Sequence, residues 1–200
     1  MKLLVFCILL SVLFTMKSWS QVDSSLTQFI DIRDGKIYKT VKIGSQVWMA
    51  ENLTFKVDEG CWAYKNDEEN AVKYGRLYNY ETAKNICPSG WHLPSDEEWK
   101  ELELSVGLSS QLVEIVMWRG YHGNILKKGG SSGFDIILCG AFNGGDDNKF
   151  RAMKKFASFW CITEYDNLNA WVREFDRSIY VGRYPVKKNG GNSVRCIKNN

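Results

Sequence analysis

Few residues in this sequence are of types and spacings that could carry catalysis. Residues 129–133 read Gly-Gly-Ser-Ser-Gly and match the pattern G-x-S-x-G, with Ser131 as the candidate nucleophile. A hydrolase built on that pattern needs a strand before the serine and a helix after it. Here a Gly/Ser-rich segment leads into the apolar run 134–138. The pattern therefore favours an ordinary loop over a hydrolase site.

The two histidines are the next candidates, as general bases or metal ligands. His92 lies between large apolar residues beside a predicted helix start, which favours a structural histidine that hydrogen-bonds a nearby carbonyl or acid. His122 lies in a glycine-flanked segment and is predicted to be an exposed loop residue, more open to a ligand role. Neither has a cysteine or a second histidine at zinc spacing. The histidines thus predict no metal site.

The turn Asp146-Asp147-Asn148 offers three oxygen-bearing side chains to a cation. Calcium takes six to eight oxygen ligands, and no EF-hand spacing surrounds this turn. A solvated hairpin tip is favoured, with calcium binding here left as the alternative. We expect no cofactor.

Tryptophan is abundant, and its rings suit both a sugar's apolar face and a protein core, where an aromatic side chain buries about 150–250 Å². Four tryptophans occupy strongly patterned segments and are predicted to lie in the core: Trp48, Trp91, Trp99 and Trp160. Four aromatic residues near loops or strand starts form the candidate ligand surface, although a core position is favoured for the tryptophans among them: Trp62, Trp118, Tyr121 and Trp171.

Residues 1–20 have the pattern of a secretory signal peptide. Lys2 precedes the apolar run 3–14, which is too short for a bilayer span of about 20 residues. Small residues allow cleavage between Ser20 and Gln21. We expect a secreted or cell-envelope protein, in the periplasm or on the outer surface, without a transmembrane segment. Export places the remaining cysteines in an oxidising compartment, where disulfides are favoured.

The net charge narrows the classes of partner that the protein is expected to bind. The chain carries 26 basic and 23 acidic residues. Without Lys2 and Lys17 of the leader, 24 basic residues remain against 23 acidic ones. This balance gives no electrostatic reason to expect a nucleic acid or an anionic membrane as partner.

Five cysteines follow the leader: Cys61, Cys87, Cys139, Cys161 and Cys196. An odd number leaves one thiol free or paired between chains, and the spacing cannot choose among the three pairings that four cysteines allow.

The predicted elements describe one α+β domain over residues 31–198, after a flexible lead-in at 21–30. Polar–apolar alternation at 36–43, a Gly-Ser turn and the return strand 46–49 predict an N-terminal hairpin. Ser95 with Glu98 forms a capping box that begins a helix ending at Gly107. Two shorter helices are predicted at 77–86 and 112–118. Short strands separated by turn residues follow, at 134–142, 159–163, 170–175, 178–184 and 193–197.

Several strings together resemble one family. They are residues 31–44 and 46–53, Tyr74-Gly75-Arg76-Leu77-Tyr78, Cys87-Pro88-Ser89-Gly90-Trp91-His92-Leu93-Pro94-Ser95, Glu98-Trp99, Ser132-Gly133-Phe134 and Ser193-Val194-Arg195-Cys196. These resemble the Fibrobacter succinogenes major paralogous domain, found in exported proteins of Fibrobacter and Bacteroidetes, over residues 31–198. That family has no established activity. The strings near Pro94 and Arg195 are also similar to the formylglycine-generating sulfatase-modifying fold, a variant of the C-type lectin-like fold.

The resemblance implies a C-type lectin-like single domain with an N-terminal β-hairpin, two main helices and antiparallel strands. It also implies a disulfide between Cys87, near the helices, and Cys196, on the terminal strand. Relatives carry a cysteine pair where this chain has Ala63 and Ala71, whereas Cys139 and Cys161 stand at positions that are usually not cysteine. We therefore predict a Cys139–Cys161 disulfide, which leaves Cys61 unpaired.

The function implied is that of an exported, non-enzymatic binding module for an extracellular or cell-surface ligand, either a glycan or a surface protein. The calcium-dependent lectin strings are absent. Formylglycine-generating enzymes carry a cysteine pair just before the terminal strand, and this chain has no cysteine between Trp171 and Val194, so that activity is disfavoured. The alternative is a structural or adhesive envelope subunit without a small ligand.

Overall fold

The alternating residues of the predicted N-terminal hairpin form paired strands in the computed structural model, which describes residues 27–144 and 149–199. The strands are β1 (Thr27–Asp31), β2 (Lys36–Ile43), β3 (Gln46–Met49), β4 (Cys61–Trp62), β5 (Leu77–Tyr78), β6 (Trp91–His92), β7 (Met117–Arg119), β8 (Ala141–Asn143), β9 (Lys149–Arg151), β10 (Phe156–Glu164), β11 (Asn169–Asp176), β12 (Val181–Lys187), β13 (Asn192–Ser193) and β14 (Ile197–Lys198). The helices are α1 (Glu68–Tyr74), α2 (Tyr80–Ala83), α3 (Asp96–Ser105) and α4 (Gly123–Leu126), with 3-10 turns at Tyr64–Asn66 and Ser110–Leu112.

Two large sheets organise these elements into a mixed α+β fold. One has five strands in the order β1-β2-β3-β14-β6, and the other has seven in the order β4-β5-β13-β10-β11-β12-β7. Strands β8 and β9 form a separate hairpin. All pairs in the two large sheets are antiparallel except β10–β13. No helix of the described residues is long and apolar enough to cross a membrane.

The longest helix, α3, begins where the capping box predicts. The Ser95 hydroxyl accepts from the Glu98 backbone N–H at 3.1 Å, and the Glu98 carboxylate accepts from the Ser95 N–H at 2.7 Å. The apolar face of α3 places Trp99 and Leu102 in the core without solvent exposure. The Trp99 ring lies 5.0 Å from the ring of Trp48, so α3 packs against the hairpin of the first sheet.

The core prediction for the tryptophans is confirmed. Trp48, Trp99 and Trp160 are fully buried, and Trp91 is nearly so. Trp160 donates its indole N–H to the Tyr78 carbonyl at 2.7 Å, which satisfies the polar atom that burial would otherwise leave unpaired.

Two predicted helices differ in the structure because tertiary pairing overrides local spacing. Residues 77–86 divide into β5 and α2, since Leu77 pairs with Ser193 and the Asn79 side chain caps a helix that begins only at Tyr80. The predicted helix 112–118 is wrong: a 3-10 turn ends at Leu112, and Met117–Arg119 pair with β12 as an edge strand.

The predicted strand 134–142 is also wrong over most of its length. Asp135 has a φ of 54°, in the left-handed region, which interrupts an extended strand. Only Ala141–Asn143 pair as a strand, with β9. The predicted strand 193–197 is split, because β13 joins the seven-stranded sheet and β14 the five-stranded sheet.

The lead-in predicted at 21–30 is corrected at its C-terminal end. Strand β1 pairs with β2 from Thr27 to Asp31, and the Phe29 ring packs 5.0 Å from the ring of Trp91. Residues 21–26, the predicted signal peptide at 1–20 and the Asp146-Asp147-Asn148 turn lie outside the described residues.

The disulfide implied by the resemblance is present. Cys87 and Cys196 are bonded across a sequence separation of 109 residues. The predicted Cys139–Cys161 disulfide is wrong, because both residues are buried free thiols. The Cys139 Sγ lies 3.0 Å from the hydroxyl of Ser193 on β13, whereas the Cys161 Sγ lies 3.8 Å from the guanidinium of Arg173 on β11. Strands β13 and β11 flank β10 on opposite sides, which keeps the two thiols apart.

A cluster of buried ions joins α3 to the seven-stranded sheet. Asp96 accepts from Arg173 of β11 at 2.7 Å and from Arg183 of β12 at 2.7 Å. Glu103 accepts from Arg173 at 2.5 Å and from Arg119 of β7 at 2.9 Å. Burial opposes ionisation of both acids, but the arginine charges hold the pKa of Asp96 and of Glu103 below the usual range. We call these five residues the ion cluster.

His122 belongs to the surroundings of this cluster, which corrects its predicted exposure. It is 2% exposed, and its Nε2 lies 3.1 Å from the Glu103 carboxylate. Glycine at position 123, next to His122, permits close contact with the backbone at Tyr180, since a Cβ on Gly123 would lie 2.7 Å from the Tyr180 carbonyl oxygen. The imidazole is buried because it lies against the Glu103 carboxylate. Tertiary packing brings this partner to His122, and the local sequence does not reveal it.

Replacing Cys87 and Cys196 together by serine should lower the free energy of unfolding by up to about 4–5 kcal/mol, because a loop of this length is no longer closed in the unfolded chain. Urea unfolding with and without reductant measures this free energy. The reductant should lower the unfolding free energy of the wild type and leave that of the double variant unchanged. A non-reducing peptide map should link only these two cysteines. A peptide that links Cys139 to Cys161 or Cys61 would contradict the structure.

The Glu103→Gln variant should lose about 3–5 kcal/mol of unfolding free energy, because the buried Arg119 loses its only counter-charge among the described residues and Arg173 keeps only Asp96. Glu81→Gln is the matched control, since Glu81 pairs with Lys84 at the surface and is 71% exposed. That change should cost no more than about 1 kcal/mol. Equal losses in the two variants would show that the cluster contributes no special stability.

Candidate functional site

A row of aromatic side chains lies at one edge of the seven-stranded sheet. The rings of Trp62 and Phe142 are stacked with centroids 4.5 Å apart. Phe142 packs 5.0 Å from Phe150, and Phe150 packs 5.2 Å from Tyr64. Trp62, Phe142 and Phe150 are each only half-buried. We call these three the aromatic row.

Backbone hydrogen bonds between strands hold the three residues of the aromatic row in position. Trp62 stands on the edge strand β4, and Phe142 and Phe150 are directly opposed on the β8–β9 hairpin. The hairpin is attached to the sheet because Phe142 and Gly191 exchange two backbone hydrogen bonds, of 2.9 and 2.8 Å. A Cβ on Gly191 would lie 3.1 Å from the Trp62 ring, so glycine permits the close approach that brings Trp62 onto Phe142.

The aromatic row forms part of an open groove of about 580 Å³. Its lining residues are Trp62, Asn66, Asn79, Phe142, Gly144, Phe150 and Asn189. We call this the aromatic groove. None of the lining side chains in the described part of the chain is ionisable. The groove therefore combines flat apolar faces with amides, each of which can both donate and accept hydrogen bonds.

Two of the three amides are free to serve a ligand. Asn66 and Asn189 are exposed, and their side chains make no hydrogen bond to another described residue. Asn79 uses its carbonyl oxygen to accept from the Thr82 N–H at 2.9 Å, which caps α2 and holds this side chain in place. Such a surface can stack on an apolar ring face and hydrogen-bond the groups at its rim.

The structure divides the four aromatic residues proposed from sequence as a ligand surface. Trp62 lies in the aromatic groove, whereas Trp118 lies on β7, at the opposite edge of the same sheet. Tyr121 is 72% exposed and packs 5.5 Å from Tyr180. Trp171 is buried, with the Arg183 guanidinium 3.9 Å from the centre of its ring. These four residues do not form one surface.

Sequence analysis missed most of the aromatic groove. Phe142 was assigned to a strand, and the three asparagines of the groove were not singled out, because asparagine is common in turns for conformational reasons. The one available signal was that Phe142 and Phe150 flank the Gly/Asp-rich turn as opposed positions of a hairpin.

The other catalytic candidates have structural surroundings. His92 lies 2.7 Å from a Glu98 carboxylate oxygen and 2.7 Å from the Asn199 amide oxygen, which confirms its predicted structural role. Ser131 lies in a turn with no helix following it, so residues 129–133 form the predicted loop. Over residues 27–144 and 149–199, no three His, Cys, Asp or Glu side chains gather as a metal site.

One carboxylate near the sheet centre has a strongly perturbed pKa. Glu174 of β11 lies between Ser158 of β10 and Gly182 of β12. Burial raises the pKa of Glu174 to about 7, the charge of Arg151 opposes this rise, and the charge of Asp176 adds to it. Glu174 does not line the aromatic groove, so the shift bears on stability.

The Glu174→Gln variant should become more stable relative to the wild type as the pH rises from about 5 to about 8. In the wild type the unfolded chain loses the Glu174 proton at lower pH than the folded chain, so rising pH costs folding about 1–3 kcal/mol, complete above about pH 7. Glutamine does not titrate and escapes this cost. Urea unfolding at several pH values tests it, and a constant difference between the two proteins would contradict the raised pKa.

Comparison with known proteins gives one match. The family model for the Fibrobacter succinogenes major domain matches residues 41–198. No curated protein and no solved structure matches the chain. The match covers both large sheets apart from β1 and the first residues of β2, and it includes every residue of the aromatic groove. The chain therefore belongs to the Fibrobacter succinogenes major domain family.

Proposed function

We propose that this protein is an exported, non-enzymatic binding module that recognises an extracellular or cell-surface glycan in the aromatic groove. The observation that carries the proposal is the stacked Trp62–Phe142 pair beside the exposed amides of Asn66 and Asn189. A pyranose ring presents an apolar face that suits an indole, and its hydroxyl groups donate and accept hydrogen bonds as an amide does.

The composition of the groove favours a neutral saccharide over a charged ligand. Over residues 27–144 and 149–199, its lining consists of aromatic rings, amides and one glycine. These groups hold and orient a ligand, but they do not accept or donate protons in a reaction near neutral pH. For this reason we propose a binding protein rather than an enzyme.

The proposal includes export and a C-type lectin-like architecture. Export is supported by the signal-peptide pattern at residues 1–20 and by the Cys87–Cys196 disulfide, which requires an oxidising compartment to persist. The architecture is supported by that same disulfide, since it joins a cysteine near the helices to the C-terminal segment. The short helices on a mostly antiparallel mixed fold agree with it.

The test is binding of the oxidised protein to a glycan and polysaccharide array, followed by titration of the best neutral polysaccharide. Trp62→Ala should weaken binding about tenfold or more, equivalent to about 1.4 kcal/mol, because the stacking platform is lost. Trp118→Ala is the matched control: the same residue type, also half-buried, on the opposite sheet edge. It should leave the affinity unchanged.

A second variant separates loss of binding from loss of folding. Asn189→Ala alters an exposed side chain outside the core, so it should keep the unfolding midpoint while weakening binding. Absence of saturable binding in both calcium and EDTA would contradict the glycan proposal and favour a structural envelope subunit. Equal losses for Trp62→Ala and Trp118→Ala would contradict the assignment to this groove. Binding that EDTA removes would place the site at a metal instead, with Asp146-Asp147-Asn148 as the first candidate.

A further inference from the structure

A second cleft, of about 120 Å³, shares no lining residue with the aromatic groove. Strand β2, the segment after β3, the end of α1 and the loop at 128–137 meet there. Four lysines line it: Lys36, Lys39, Lys73 and Lys128. We call it the lysine cleft. Its volume has room for a group of several non-hydrogen atoms, although not for a sugar chain.

The lysines outnumber the acids of the cleft. Four lysines face two carboxylates, Glu51 and Asp135, so the lining carries a net charge of +2. Both carboxylates are already engaged by main-chain donors: Glu51 accepts from the Lys39 N–H at 2.7 Å and Asp135 from the Gly129 N–H at 3.2 Å.

None of the four lysines forms an ion pair with a carboxylate of the described residues, in contrast to Lys56, Lys84, Lys100 and Lys188. Two of the four ammonium groups lie over aromatic rings instead, Lys36 5.9 Å from the centre of Tyr38 and Lys73 5.4 Å from that of Tyr74. Like charges gathered in a cleft repel one another, and a bound anion would relieve that repulsion.

A buried cation beneath the cleft adds to the positive potential. Arg195 is 1% exposed, and its guanidinium donates to three neutral oxygens, those of the Asn52 side chain, the Phe134 carbonyl and the Asp135 carbonyl. Two of these partners, Asn52 and Asp135, themselves line the cleft. Buried charges in proteins are usually paired with an opposite charge. Among its hydrogen-bond partners Arg195 has no carboxylate.

The C-terminal end of α1 would repel an anion, but two of its last four carbonyls accept hydrogen bonds. The C-terminal end of α1 lies at the cleft, and the last carbonyls of a helix carry partial negative charge. Here the Tyr74 carbonyl accepts from the Asn52 amide at 2.9 Å, and the Ala71 carbonyl accepts from the Gly75 N–H at 3.0 Å. Asn52 thus links the helix end to Arg195, since it donates to the Tyr74 carbonyl and accepts from the Arg195 guanidinium.

We propose that the lysine cleft binds a single oxyanion group, a carboxylate, sulfate or phosphate, carried either by a free ion or by a substituent of a larger acidic ligand. The lysine ammonium groups contact the anion, and the Arg195 charge below contributes at longer range. The site is independent of the aromatic groove, so an acidic saccharide would use it without stacking on Trp62.

The experiment follows the NMR chemical shifts of cleft residues in the oxidised protein during titration with inorganic sulfate, inorganic phosphate and glucuronate, at constant ionic strength held with sodium chloride. Saturable shifts centred on Glu51, Asn52 and Gly75 are expected with at least one anion. Sulfate or phosphate alone indicates a free inorganic ion, whereas glucuronate indicates a saccharide substituent.

Two lysines of β2 provide matched variants. Lys39 and Lys42 are both exposed and without an ion pair in the described structure, but only Lys39 lines the cleft. Lys39→Gln should raise the half-saturating anion concentration about fivefold, equivalent to about 1 kcal/mol, and Lys42→Gln should leave it within about twofold. Trp62→Ala should leave anion binding unchanged, which separates this proposal from the glycan proposal. No saturable shift with any of the three anions, or equal losses in the two lysine variants, would overturn the inference.

Discussion

The ion cluster is the constraint on which the arrangement of α3 and the seven-stranded sheet depends. Two carboxylates two turns apart on α3, Asp96 and Glu103, bind three arginines from β7, β11 and β12. A buried charge without its partner costs several kcal/mol, so the helix cannot slide along the sheet without leaving ions unpaired. Trp99, one turn after Asp96 on the same side of α3, packs on Trp48 in the hairpin of the other sheet. One helix therefore sets the position of both sheets.

The C-terminal segment is the second link between the sheets. It enters β13 in the seven-stranded sheet and ends in β14 in the five-stranded sheet, so its few residues pair on both sides. The Leu53 N–H donates to the Val194 carbonyl and the Met49 N–H to the Cys196 carbonyl, while the disulfide fixes Cys196 to Cys87. Arg195, between these bonds, is thereby buried beneath the lysine cleft.

The two candidate sites differ in chemistry because different elements of the fold line them. The aromatic groove lies where the β8–β9 hairpin, attached at Gly191, packs on Trp62 of the edge strand β4, and its lining among the described residues is uncharged. The lysine cleft lies between the first hairpin and the end of α1, and its lining is cationic. The two proposed ligands, a neutral ring and an oxyanion, are therefore assigned to separate surfaces.

Local features of the sequence determined the first hairpin, the start of α3 and the burial of Trp48 and Trp99, since alternation, capping and helical spacing act over a few residues. The family resemblance supplied the Cys87–Cys196 pairing. Tertiary structure alone decided that Met117–Arg119 is an edge strand, that His122 is buried beside Glu103, and that Cys139 and Cys161 are apart. It also assembled both candidate sites, because Trp62 stacks on Phe142, and Lys39 and Lys128 line one cleft, only when segments far apart in the chain pack together, which no local pattern encodes.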